Sequence, residues 1–119
     1  MKWFLTILIL TLVAFGTTAQ KTIASLPSFP GGQKAFNKFL AKNLKWPNQD
    51  DAEGRVIISF VVEKDGRLTD FKVERSLRKE FDIEALRVLK RSPEWIPGMK
   101  NGKKVSVRYF VPINFTLSE

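Results

Sequence analysis

The 119-residue sequence is 44% hydrophobic and 27% charged, an ordinary globular composition that excludes a disordered or low-complexity chain and suits one small domain. It contains no Cys and no His, which removes disulfides, Cys/His zinc sites, thiol nucleophiles and His-based acid–base chemistry. Lys and Arg outnumber Asp and Glu by 20 to 12, and the formal charge of +8 suits anionic partners or an anionic membrane without choosing among them.

Residues 1–19 read as a secretory signal peptide. Lys2 supplies the positive start, residues 3–15 form an apolar run broken only by Thr6 and Thr11, and Gly16-Thr17-Thr18-Ala19 is a small-residue stretch. Thr17 and Ala19 stand where signal peptidase needs small side chains, which places the cut before Gln20. No Cys follows, so a lipid anchor is excluded. The run is short against the roughly 20 residues that span a bilayer core. The expectation is therefore a secreted protein; an uncleaved membrane anchor made of residues 3–15 is the alternative.

Residues 20–32 form a leader with Pro27, Pro30, Gly31 and Gly32, in which Leu26 and Phe29 are candidates to dock on the body. Gly31-Gly32 lacks the preceding strand and following Lys of a phosphate loop and reads as a turn opening a helix. The domain occupies residues 33–119. Residues 33–44 predict a helix, with Phe36, Leu40 and Leu44 at i, i+4, i+8, Phe39 beside them, and Lys34, Asn37, Lys38 and Lys42 elsewhere on the wheel. Pro47 stops it after Trp46. Residues 55–64 predict a strand with Val56, Ile58, Phe60 and Val62 on one face. Ile57 and Val61 make the other face partly apolar, as in a central strand. Asp65-Gly66 signals a hairpin. Residues 68–76 return with Phe71 and Val73 inward and Asp70, Lys72 and Glu74 outward, the charges of an exposed edge.

Residues 79–91 predict a second helix with Phe81, Ala85, Leu86 and Leu89 as its stripe and Val88 flanking. Asp82 and Glu84 lie early and Arg87, Lys90 and Arg91 late, in the order that complements the helix dipole. Ser92-Pro93 ends it, Trp95 to Gly98 make an apolar connection, and Asn101-Gly102 mark a turn. Residues 105–117 carry the clearest period in the chain: Val105, Val107, Tyr109, Val111, Ile113, Phe115 and Leu117 alternate with Ser106, Arg108, Phe110, Pro112, Asn114 and Thr116. Pro112 lacks an N–H, which puts this strand at a sheet edge. The order αββαβ implies an α+β fold, a three-stranded antiparallel sheet with two helices packed on one face.

The chemistry is sparse. Asp50, Asp51 and Glu53 form an acidic cluster without the spacing of a calcium loop, and Arg55 is next to it, so it reads as a solvated turn. Nothing brings nucleophile, base and orienter together, so no enzyme, catalytic residue, metal, cofactor or small-molecule substrate is expected. The basic charge alone does not imply nucleic acid: there is no RNP-like aromatic motif, no Lys/Arg run longer than a pair such as Lys103-Lys104, and the signal peptide leads away from the cytosol.

Several local patterns are similar to the C-terminal domain of TonB, the energy transducer of Gram-negative envelopes. Phe29-Pro30-Gly31-Gly32 resembles the leader of a TonB-like branch, and Trp46-Pro47 stands where the family usually has Tyr-Pro. Gly54-Arg55-Val56 with Asp65-Gly66-Arg67 resembles its hairpin. Glu84-Ala85-Leu86 with Trp95, Pro97 and Gly98 resembles its second helix and exit, and Val105, Val107 and Pro112-Ile113-Asn114-Phe115 resemble its final strand. The resemblance implies a non-catalytic module whose last strand offers its open edge to an extended peptide, the TonB box of outer-membrane transporters, by β-strand addition. The matching positions are Val105, Ser106, Val107, Arg108, Tyr109, Phe110 and Val111. Arg108 and Ser106 would flank the guest on the outer face, and a proline at Val107 tests the edge provided that its N–H faces the guest. Phe110 is either a contact for the guest or a second subunit, or an aromatic that is singly exposed or covered by a helix. Pro112 would limit binding to the strand's first half if it faces outward.

The chain also departs from the family. The apolar run has no His, which the family's anchor helix typically carries, and no long Pro-rich linker follows it. At about 3.5 Å per residue, residues 20–29 reach far short of a periplasm's width. Direct energy transduction is therefore not expected. The alternative use of the same edge is homodimerisation, in a structural or assembly module of the envelope with no transporter contact.

Overall fold

The alternating apolar row of residues 54–62 needs a covered face, and the fold supplies one with two helices. The computed structural model describes residues 25–47 and 53–116. The signal peptide, Asp50, Asp51 and Leu117 lie outside the described residues. The elements are α1 (Gly32–Asn43), β1 (Gly54–Val62), β2 (Leu68–Arg75), α2 (Lys79–Lys90), β3 (Gly98–Lys100), β4 (Lys103–Val105) and β5 (Val107–Phe115). β1 lies between β2 and β5 in an antiparallel sheet, while β3 and β4 form a separate hairpin.

Val56, Ile58, Phe60 and Val62 are fully buried, together with Val111, Ile113 and Phe115 of β5, Phe81, Ala85 and Leu89 of α2, and Phe36 of α1. Each large apolar side chain so covered contributes about 1.5–3 kcal/mol. Aromatic rings knit the two ends of this layer. Trp95 packs edge-on against Phe29, Phe36, Phe60 and Tyr109 at centroid distances of 5.8, 5.4, 5.2 and 5.7 Å. At the other end Trp46 meets Phe81 and Phe115 at 5.4 and 6.1 Å.

The leader belongs to this assembly. Ser25 and Ser28 exchange backbone hydrogen bonds with Met99 and Ile96, and Phe29 is buried, whereas Leu26 is 71% exposed. The turn at Gly31-Gly32 opens α1, with the Gly32 N–H donating to Phe29 O at 2.8 Å.

Three details differ from the sequence reading. Val73 lies on the inner face opposite Ile58 but is 39% exposed. β2 slips twice against β1, once between the pairs Ile57↔Arg75 and Ile58↔Val73 and once between Ser59↔Lys72 and Val61↔Thr69, where Asp70 adopts φ 52°. Val73 still stands opposite the buried Ile58, on the helix side of the sheet, but on the outer strand between the two slips it stays partly uncovered. The segment after Trp95 folds into β3 and β4 around Asn101 and Gly102, both at positive φ, as a two-residue hairpin turn requires. Val105 therefore pairs with Gly98 in β4, and the last strand begins at Val107. The β1–β2 loop is longer than a two-residue turn. Gly66 N–H donates to Glu63 O and Glu63 N–H to Arg67 O, with only the glycine left-handed at φ 92°.

The helices are joined by a charged staple. Glu84 accepts the Lys45 N–H at 2.7 Å and both Nε and Nη2 of Arg87 at 2.8 and 2.7 Å, while Arg87 Nη2 also donates to Asn43 O at 2.8 Å. Arg87 thus satisfies a terminal carbonyl of α1 from the neighbouring helix.

Two stability predictions follow from these contacts. At Gly66 a Cβ would lie 2.3 Å from Trp95 O, whose N–H donates to Gly66 O, whereas at Gly102 it would meet nothing. Gly66→Ala should therefore lower the urea-unfolding free energy by about 2–4 kcal/mol. Gly102→Ala should cost about 1 kcal/mol, the left-handed penalty alone. Burial raises the Glu84 carboxyl pKa, but the hydrogen bonds from Arg87 and the Lys45 N–H outweigh it, and the group sits below its ordinary 4.5. Its stabilisation is present above 4.5 and is lost as pH falls through the lower folded value. Glu84→Gln should reduce stability at pH 7 and flatten the acid limb of a stability–pH curve relative to the unaltered chain.

Candidate strand-addition edge

Among the described strands β5 pairs with β1 alone, from Val62↔Val107 to Gly54↔Phe115, with no slip in register. Antiparallel partners alternate between pairs that exchange N–H···O bonds and pairs that do not. Pro112, opposite Ile57, has no N–H to exchange, yet the ladder continues through Val111↔Ile58 and Ile113↔Val56. Pro112 therefore occupies a non-bonded pair, and its nitrogen faces the free edge. Period two then assigns the rest. Val107, Tyr109, Val111, Ile113 and Phe115 bond to β1. Arg108, Phe110 and Asn114 turn both N–H and C=O outward, and Pro112 turns out a carbonyl alone.

This phase redistributes the residues singled out in the sequence. Val107, Arg108, Tyr109, Phe110 and Val111 lie on β5, Val105 lies on β4, and Ser106 joins the two strands. Only Arg108 and Phe110 of that group offer backbone to a guest. The N–H of Val107 points at β1, so a proline there tests the ladder and not the edge. Asn114, beyond the expected range, is an outward position that the sequence reading missed, and Pro112 held the signal that could have found it.

On the face away from the helices the side chains are already engaged. Arg108 Nη1 donates to Ser59 Oγ at 2.7 Å, Ser59 Oγ donates to Glu74 Oε2 at 2.6 Å, and Arg108 Nη2 pairs with the Asp70 carboxylate. This clasp spans all three strands and satisfies Ser59, which is fully buried. Ser106 Oγ donates to Glu63 at 3.0 Å, and Thr69 Oγ1 donates to the same carboxylate. The bonds from Thr69 and Ser106 hold the Glu63 carboxyl below its ordinary value. Arg108 and Ser106 are thus bound to their own sheet. Phe110 differs: it is 55% exposed, and neither described helix covers it.

On the helix side α1 stands beside the edge. A groove of about 300 Å³ runs between Phe36, Leu40 and Leu44 of the α1 segment and Val111, Pro112 and Asn114 of β5. It continues past Ala41 and Leu44 into a second hollow of about 350 Å³ beside Trp46, Phe115 and Thr116. Among the described residues no group of three or more acidic side chains could hold a metal ion, and no helix is long and apolar enough to cross a membrane.

A family model described as the Gram-negative bacterial TonB protein C-terminal matches residues 48–117, the stretch that contains β1 through β5. No curated protein matches the chain. Domains of this family are non-enzymatic, protein-interacting and tied to TonB-dependent transport in the envelope. With more than half of its length matched, and with two helices on one face of a β2-β1-β5 sheet, the chain belongs to the TonB C-terminal domain family.

Proposed function

We propose that the chain is a periplasmic, non-catalytic module that takes an extended peptide as a fourth strand along β5, the peptide being a TonB-box segment of an outer-membrane transporter. One observation carries this reading: β5 is an unslipped edge strand whose Arg108, Phe110 and Asn114 turn donors and acceptors away from the sheet. Such groups accept any extended backbone, which is how strand addition gains affinity with little sequence demand. Pro112 turns out a carbonyl but no N–H, so in this reading the limit to the strand's first half loosens to one missing donor between Phe110 and Asn114.

A second reading uses the same edge. Phe110 lies exposed where a second copy of β5 would approach, so a two-fold pair of chains could close on it, giving a homodimerising envelope module.

Phe110→Pro separates these readings from a merely structural strand. It removes an outward N–H, leaves the bonds to β1 intact, and is tolerated at an edge. The purified secreted chain should be monomeric by light scattering and should bind a TonB-box peptide. Phe110→Pro should weaken that binding at least tenfold with an unchanged melting temperature, and Phe110→Ala should weaken it less. Unchanged affinity in a folded Phe110→Pro chain would sink strand addition at this edge, and a stable dimer that ignores the peptide would establish the second reading.

A further inference from the structure

We infer that α1, which precedes the matched residues 48–117, is the selectivity wall of the edge: it reads every second side chain of the guest and accepts only apolar ones. The inference rests on the strand-addition reading and adds to it the part of this chain that chooses among peptides.

Geometry gives the first reason. A guest beside β5 alternates its side chains between the two faces of the sheet. Those on the helix side flank Val111, whose side chain is buried there, and enter the groove against Phe36, Leu40 and Leu44. The wall residues are spaced i, i+4, i+8, or about 6 Å apart at 1.5 Å rise per residue. Alternate residues of a strand are about 6.7 Å apart. Three successive inward side chains of a guest therefore come level with the three wall residues, and a five-residue segment fills the length.

Polarity gives the second reason. α1 carries Lys34, Lys38 and Lys42, yet none of them lines the groove, and the one charged residue of the adjoining hollow is Lys45. The groove's polar members are Gln33, Asn37 and Asn114. A charged guest side chain entering between Phe36 and Leu40 would lose water without gaining a partner. The opposite face makes no such demand, because Arg108 is committed to Ser59 and Asp70 and the remaining surface is open. The guest that fits is an extended segment of the pattern apolar-x-apolar-x-apolar, with its second row unrestricted.

The test is a charge swap on the wall. Ala41 is exposed, lines both hollows and sits on a helix, where Glu is well tolerated. The probes are fluorescent heptapeptides alternating threonine and valine, with the central valine kept or replaced by lysine or glutamate. Fluorescence anisotropy against the full secreted chain should show at least tenfold preference for the valine peptide. Ala41→Glu should erase that preference and bind the lysine peptide at least tenfold better than the unaltered chain does. Asn37→Lys, on the rim, should do the same for the glutamate peptide, which keeps the test open if one variant folds poorly. If Phe110→Pro abolishes binding while both wall variants keep the original preference, α1 is not the reader and the edge reading stands. If no heptapeptide binds the unaltered chain, the wall and the edge reading fall together.

Discussion

The β1–β5 ladder is the constraint on which the rest depends. It runs the full length of both strands without a slip, and it does so across a proline. That is possible in only one phase, the one that turns the nitrogen of residue 112 away from β1. The same phase sends Val111, Ile113 and Phe115 into the core with Val56, Ile58, Phe60 and Val62. It leaves Phe110 on the uncovered face and sets which backbone groups reach the edge. Core packing and the exposed donors are thus two consequences of one alternation, and a one-residue shift would lose both.

The two edges of the sheet are treated in opposite ways. β2 is slipped twice, carries Asp70 at a positive φ and exposes Lys72, Glu74 and Arg75, all of which discourage pairing with another chain. β5 is regular, and its guard is the single proline. The end of the sheet where β5 begins is held by Trp95, which bonds to the Gly66 turn and packs on Phe29, Phe36, Phe60 and Tyr109. That contact fixes α1 to the sheet through Phe36. The helix beside the edge is therefore tied into the same aromatic core as the sheet.

Much of this was legible in the residues. The period of two in β1 and β5 and the i, i+4 stripes of both helices are intrinsic to the sequence, and they carried the fold. What was not legible depended on partners. Val73 faces inward opposite Ile58 yet stays 39% exposed on the outer strand, and how far the helices cover that strand is set by the tertiary fold. β3 and β4 have three residues each, too few to display a period, so only the Asn101-Gly102 turn was visible. At the candidate edge the sequence shows that residues alternate but not which set faces the neighbour. The direction of the Val107 N–H stayed open for that reason, although Pro112 contained the answer. The groove could not be read at all, because Leu40 and Val111 are brought together only by the tertiary fold.

The energetics indicate why an edge of this kind needs a wall. A net backbone hydrogen bond is worth about 0.5–1.5 kcal/mol. Ordering each residue of a flexible guest costs about 1–2 kcal/mol. Outward donors at Arg108, Phe110 and Asn114 and the lone carbonyl of Pro112 cannot offset the ordering of the residues that would meet them. Each apolar side chain transferred into a groove contributes a further 1.5–3 kcal/mol or so. Two or three such transfers beside Phe36, Leu40 and Leu44 turn an unfavourable balance into weak, reversible capture. In the proposed strand addition, the edge would supply direction, register and part of the affinity, and the helix would supply the remaining affinity and the choice. A charged residue on the inward row removes one transfer and adds a desolvation cost, so discrimination and affinity arise from the same contact.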